Sequence, residues 1–311
     1  MATTYGIISD LHRADIKVAL AAMRRLIDDG AKKFILNGDV IGDQGQMPPE
    51  LYFSLVLNLA GESGLETYVL PGSHEECDLF LGVLEQMKSK YKNLVSVLET
   101  PKVEAGDHHL VFLPGSDWRP ASVMGGFDLT LNQVHETGLY RDARGAIFYV
   151  TEMSDLKGLV TSPEKTVVVS HVPARFSDVR YGSDVAYFGE AVDGAVIPGV
   201  ILEHDAKKHL GKDASQEQIT VFAAKHGYAL KRENRGNQDL ASILKGCGVT
   251  KGITGHFHES AHRAHDWTTK PVPEGSYVSE CFWNASYGDG LKFGLLQVDG
   301  AKIAYRNIKL K

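Results

Sequence analysis

Aspartates and histidines recur directly after short apolar runs in this chain. After "YGIIS" come Asp10 and His12 in "SDLH". After "KFILN" comes Asp39 in "GDV". After "TYVL" comes His74 in "PGSHEE". After "TVVVS" comes His171 in "SHVP", and after "KGIT" come His256 and His258 in "GHFH". One Asp or His at such a point is usually a cap or a solvated turn residue. Seven of them after five runs, with none of the five lacking one, are not explained by capping. Carboxylate and imidazole donors together suit Mn, Fe or Zn. Thiolate ligation is not expected, because only Cys77 follows one of these runs and it opens a helical stretch.

The apolar runs read as strands. Tyr5–Ser9, Lys33–Asn37 and Thr67–Leu70 alternate with helical stretches at about 15–29, 49–59 and 78–91. In the first helix Ile16, Leu20, Met23 and Ile27 fall on one face. Repeated strand–helix units argue for parallel strands, whose carboxyl ends carry the site in open α/β sheets. Further strands are expected at 110–113, 166–170 and 250–254. The closing runs "YVSECFW", "KFGLLQV" and "KIAYRNI" read as an antiparallel set. Together these predict two stacked sheets with helices outside. The stretch from about 174 to 237 is too long for a plain loop and should have structure of its own. It lies between His171 and His256, so a cap over the site is expected.

A chain of 311 residues, 43% hydrophobic and 23% charged, can bury a sizeable core. A net charge of -6 gives no general attraction to nucleic acid or anionic membrane. No signal peptide or apolar run of membrane-spanning length is visible, and Cys77, Cys247 and Cys281 form no CxxC pair. A cytoplasmic protein with reduced thiols is the expectation.

The order Asp10-x-His12, Gly38-Asp39, Gly72-Ser73-His74-Glu75, His171, Gly255-His256-x-His258 resembles that of the calcineurin-like metallophosphoesterases, from about 7 to 260. "GDVIGDQGQMPPE" looks like the phosphodiesterase-like branch, and "WNASYGDG" like the turn after the last motif in small bacterial members. The resemblance implies a single domain over 1–311 with a four-layer α-β-β-α sandwich of two mixed sheets. It implies two divalent metal ions. Asp10, His12 and His258 would hold one, His171 and His256 the other, with Asp39 bridging and His74 acting as general acid. Two such ions neutralise phosphoester oxygens and activate a water for in-line attack.

Two positions depart from the pattern. Ser73 stands where the family has Asn; a neutral hydroxyl is a poorer and shorter ligand, so the second ion is expected to be loosely held. Asp43 comes one residue late for the second acid of the GD motif, where it would orient His74. Arg13, Asn234, Arg235 and Asn237 are candidate substrate contacts. His108, His109, His262 and His265 read as solvated surface positions. The leading expectation is hydrolysis of a small phosphoester, a phosphodiester or nucleotide-sized molecule, away from membranes. The alternatives are a nuclease of the same superfamily, disfavoured by the acidic balance and the lack of an Arg/Lys-aromatic stripe, and a non-catalytic scaffold.

Overall fold

The structure is a computed structural model that describes residues 2–42, 47–115, 139–141, 147–149 and 156–311. Three strand–helix units open the chain: β1 (Thr3–Ile8), α1 (Ile16–Asp28), β2 (Lys33–Asn37), α2 (Pro49–Glu62), β3 (Glu66–Leu70) and α3 (Cys77–Lys90). Next come β4 (Leu94–Ser96), β5 (Lys102–Glu104), β6 (His109–Leu113), β7 (Leu139–Arg141), β8 (Ile147–Tyr149), α4 (Leu156–Leu159) and β9 (Thr166–Ser170). The stretch between His171 and His256 holds β10 (Val185–Ala191), β11 (Val196–Pro198), α5 (Gly199–Leu210), α6 (Gln216–Lys225), β12 (Tyr228–Asn234), α7 (Gln238–Gly246) and β13 (Lys251–Thr254). The chain closes with β14 (Ala264–His265), β15 (Cys281–Asn284), β16 (Lys292–Asp299) and β17 (Lys302–Lys309).

Two mixed six-stranded sheets result, ordered β17-β16-β1-β2-β3-β4 and β14-β15-β13-β9-β6-β5. In the first, β1 to β4 run parallel; in the second, β15, β13, β9 and β6 do. Side chains alternate across a strand, so each run sends two sets in opposite directions. Ile7, Ile35, Tyr68 and Leu70 of the first sheet share a core with Phe112, Val167, Val169, Ile253 and Trp283 of the second. Ile8, Phe34, Leu36 and Val69 point the other way, into the side chains of α1, α2 and α3. Val111, Leu113 and Val168 likewise meet Leu156 of α4 and Leu240, Ala241 and Leu244 of α7. The layers are helix, sheet, sheet, helix.

Two expectations need correction. The buried stripe of α1 is Ala19, Ala22, Met23 and Leu26, while Ile27 is 40% exposed. Alanines let the helix lie close to the sheet, and a reading weighted to bulky side chains places the stripe one residue off. The "ECFW" run also does not join the final hairpin. As β15 it enters the second sheet parallel to β13, whereas β16 and β17 pair antiparallel in the first. Cys281, Phe282 and Trp283 are all buried, as a parallel strand covered on both faces requires.

The 174–237 stretch does have its own structure: an antiparallel sheet ordered β11-β10-β12 with α5 and α6 packed on it. Among the described residues no helix is long and apolar enough to cross a membrane.

Candidate metal centre

The carboxyl ends of β1, β2, β3, β9 and β13 meet at one edge where the two sheets adjoin. The first two loops continue strand-like pairing past the strand ends: Asp10 N–H donates to Gly38 O (3.1 Å) and His12 N–H to Asp39 O (3.1 Å). The backbone there is bent into the left-handed region, with φ of 53° at Asp10, 44° at His12, 60° at Arg13, 50° at Asp39 and 68° at His256. Each such non-glycine residue costs on the order of 1–3 kcal/mol, and strain of this kind gathers at functional sites. Gly72 makes the close approach possible, since a Cβ there would lie 2.4 Å from Asp39 Oδ1.

The side chains fall into three overlapping groups, each with ligand atoms within 4.8 Å of one another: Asp10/His12/His258, His12/Asp39/His74 and Asp39/His171/His256. Asp39 is 2% exposed and joins the last two. Its Oδ1 accepts from the N–H groups of Ser73 (2.6 Å) and His74 (2.9 Å). Its Oδ2 accepts from Ser73 Oγ (2.7 Å) and faces His171 Nε2 at 2.9 Å and His12 Nε2 at 3.5 Å. Asp10, fully buried, accepts from Ser9 Oγ (2.5 Å) and His256 N–H (3.1 Å) and faces His258 Nε2 at 3.3 Å.

Burial pushes both carboxyl pKa values up. It is overridden at Asp39 by the charge of His171, which leaves Asp39 well below the ordinary range, and at Asp10 by the hydrogen bond from His258. Burial pulls His171 down, but the neighbouring Asp39 carboxylate raises it to about 10. His256 moves the other way, to about 3, through burial and then the charge on His171. Two buried carboxylates are tolerable only beside positive charge. Imidazolium supplies it, and so would a divalent cation. The donor set of carboxylate and imidazole, three to a group, fits divalent transition metals. His171 also donates from Nδ1 to Asn37 O (2.9 Å), which aims Nε2 at the cluster.

Two further residues hold the loops, and both were missed as site residues in the sequence. Glu75 is fully buried, and its carboxylate accepts from the N–H groups of Gly72 (2.6 Å), Asp39 (3.1 Å) and Ile41 (3.1 Å), tying the second loop to the third. The second residue, Asn284, donates from Nδ2 to Gly255 O (3.0 Å) and Phe257 O (3.0 Å) and so fixes the turn that carries His256 and His258. Burial, and then the charge of Asp39, raises Glu75 from 4.5 to about 7. An acid raised on folding adds stability that is complete below its unfolded pKa and is lost as pH rises through the folded one. Metal-free Glu75→Gln should therefore lose the part of the wild-type fall in melting temperature that occurs between pH 4.5 and about 7. Thermal melts of both proteins across that range check this.

Arg13 follows His12, and its Nη1 donates to Met47 O (3.0 Å). Asp43 lies outside the described residues. Asn234 and Asn237 use their side chains on the chain itself: Asn234 Nδ2 donates to Asp184 Oδ1 (2.7 Å), and Asn237 Oδ1 accepts from Leu240 N–H at the start of α7. Arg235 lies over the Phe188 ring and pairs with Glu233 (3.2 Å). His108 is not solvated. It is buried between Tyr5 Oη (2.8 Å) and Asp107 (2.7 Å), because it links the two sheets at the end of the sandwich away from the cluster. His265 is buried as well, and His262 is half-buried with Nε2 bonded to Phe293 O (2.9 Å). Both were expected at the surface, but His265 lies under the 174–237 segment against Ser183, and His262 packs on the sheet strands through Phe293 O and Asn284 O.

Fold and site together define a layered α/β protein with a strained, buried Asp/His centre able to hold metal. Among solved structures the chain is similar to TT1561 of Thermus thermophilus, at TM-score 0.55 and 10% identity over 99% of each chain. A second solved structure matches with TM-score 0.54 and 14% identity over the full length of both chains. A scan of protein-family models gives no match, and neither does a search of curated proteins.

Proposed function

We propose that the protein is a metal-dependent phosphoesterase acting on a phosphodiester of nucleotide size. The observation that carries this reading is the continuous cluster in which Asp10/His12/His258 and Asp39/His171/His256 lie either side of a third group made of His12, Asp39 and His74. Bound divalent ions would supply Lewis acidity toward phosphoryl oxygens and make a water acidic enough to attack at neutral pH. The chain's own residues do the rest. Asp39 supplies charge to both ends of the cluster and is held in place by Ser73, His74 and, through its own backbone, Glu75. His74 stands edge-on to His12, ring centroids 5.2 Å apart, where an imidazole N–H can be given to a departing oxygen. Arg13, next to His12 in the chain, would offer a substrate phosphate one guanidinium, which now donates to Met47 O. One cation suits the single charge of a diester better than the two of a monoester. The strain at Asp10, His12, Asp39 and His256 fits a site built for function rather than stability.

The test is a screen of metal-free protein with bis-p-nitrophenyl phosphate, p-nitrophenyl phosphate and cyclic nucleotides, each with Mn, Fe, Zn or Mg. The diester should be turned over faster than the monoester under the best metal. A clear preference for p-nitrophenyl phosphate would contradict the substrate class, and no turnover with any pair would favour a non-catalytic scaffold.

A further inference from the structure

The 174–237 segment is fastened to the stretches around the metal centre at Ser183 and Val185, with Asp184 between them tying the segment to itself. Ser183 N–H donates to His265 Nε2 (2.9 Å), and Ser183 O accepts from Asn284 Nδ2 (3.2 Å). That same amide holds Gly255 and Phe257. Asp184, fully buried, accepts on Oδ2 from the N–H groups of Phe176 (2.9 Å) and Gly236 (3.2 Å), and on Oδ1 from Asn234. It thereby gathers both ends of the segment. Val185 exchanges two bonds with Ser260: its N–H donates to Ser260 Oγ (2.9 Å), and its carbonyl accepts from that hydroxyl (2.7 Å). Ser260 is fully buried and ends the 3-10 turn that begins at His258.

A lid hinges at a few residues free to change φ and ψ. Here both stalks are bonded to each other, with Arg175 N–H donating to Asn237 O (3.0 Å) and Asn237 N–H to Pro173 O (2.9 Å). We propose that the segment is a fixed brace for the metal loop, with Ser260 a positioning residue that couples it to His258. The proposal rests on the reading that His258 binds a divalent cation with Asp10 and His12. A ligand's imidazole binds tightly only when its backbone is held still. The Ser260 hydroxyl supplies that hold from the segment's side and touches no ligand atom itself.

The test is cobalt(II) titration of metal-free wild type, Ser260→Ala and Ser260→Thr, followed by calorimetry and by the visible absorption band of the bound ion. Loss of a residue that orients a ligand typically weakens metal binding about 10–100-fold. Ser260→Ala should show a loss of that order with an altered band, while Ser260→Thr, which keeps the hydroxyl, should restore both. If Ser260→Ala does not fold by circular dichroism, Ser260→Cys, with its weaker donor, replaces it and should fall between. Wild-type affinity and an unchanged band in the folded variant would overturn the proposal. A wild type that takes up no cobalt would overturn the metal reading and the proposal with it, so the wild-type titration tells the two failures apart.

Discussion

Asp39→Asn should lower turnover roughly 10³-fold, about 4 kcal/mol of lost transition-state stabilisation, more than any other single ligand change. The amide is nearly isosteric, so the loss is one of charge rather than shape. Asn can still accept from Ser73 and His74 N–H on its oxygen, which keeps the loop in place. Its NH2 group then turns toward His171 Nε2 and His12 Nε2, where the carboxylate oxygen now stands. The Asp39/His171/His256 group loses its carboxylate, and His12 of the Asp10/His12/His258 group loses the negative charge 3.5 Å from its Nε2. Steady-state rates against metal concentration check this: the variant should need far more metal and still not reach the wild-type maximum. A variant with near-normal rate would remove Asp39 from the chemistry.

His74→Ala should lower turnover by roughly 10²–10⁴ on a substrate with a poor leaving group. The loss should be much smaller with p-nitrophenolate, which departs without protonation. Metal content is the discriminating measurement, because the imidazole also lies within ligand distance of His12 and Asp39. As a proton donor, His74 can be removed while Asp10/His12/His258 and Asp39/His171/His256 remain intact. Metal loss as complete as that in His171→Ala would make His74 a ligand.

The strand ends were legible because each couples an apolar run to a polar residue that nothing local requires. The layered sheets followed from the same runs. What holds the ligands was not legible, because the partners are distant in the chain. Glu75 reaches back 36 residues to the Asp39 N–H, and Asn284 reaches 101 residues to Ser183. Nothing beside Ser183 or Asp184 marks them as anchors. The length of the 174–237 stretch announced a separate unit, yet its attachment at Ser260 needed the structure. The left-handed backbone at Asp10, His12 and Asp39 is equally silent, because these are residue types that occupy any loop. His108 misled for a related reason: a pair of histidines opening a strand looks solvated until Tyr5 and Asp107 are seen on either side of one of them.

The central claim is that these side chains hold metal ions, and diffraction tests it most directly. Crystals of metal-free protein soaked in manganese and measured for anomalous scattering should show one strong peak bounded by Asp10, His12 and His258. A second, weaker peak should lie among Asp39, His171 and His256, because Ser73 offers a neutral hydroxyl already donated to Asp39. A map with no peak in contact with these six side chains would contradict the account.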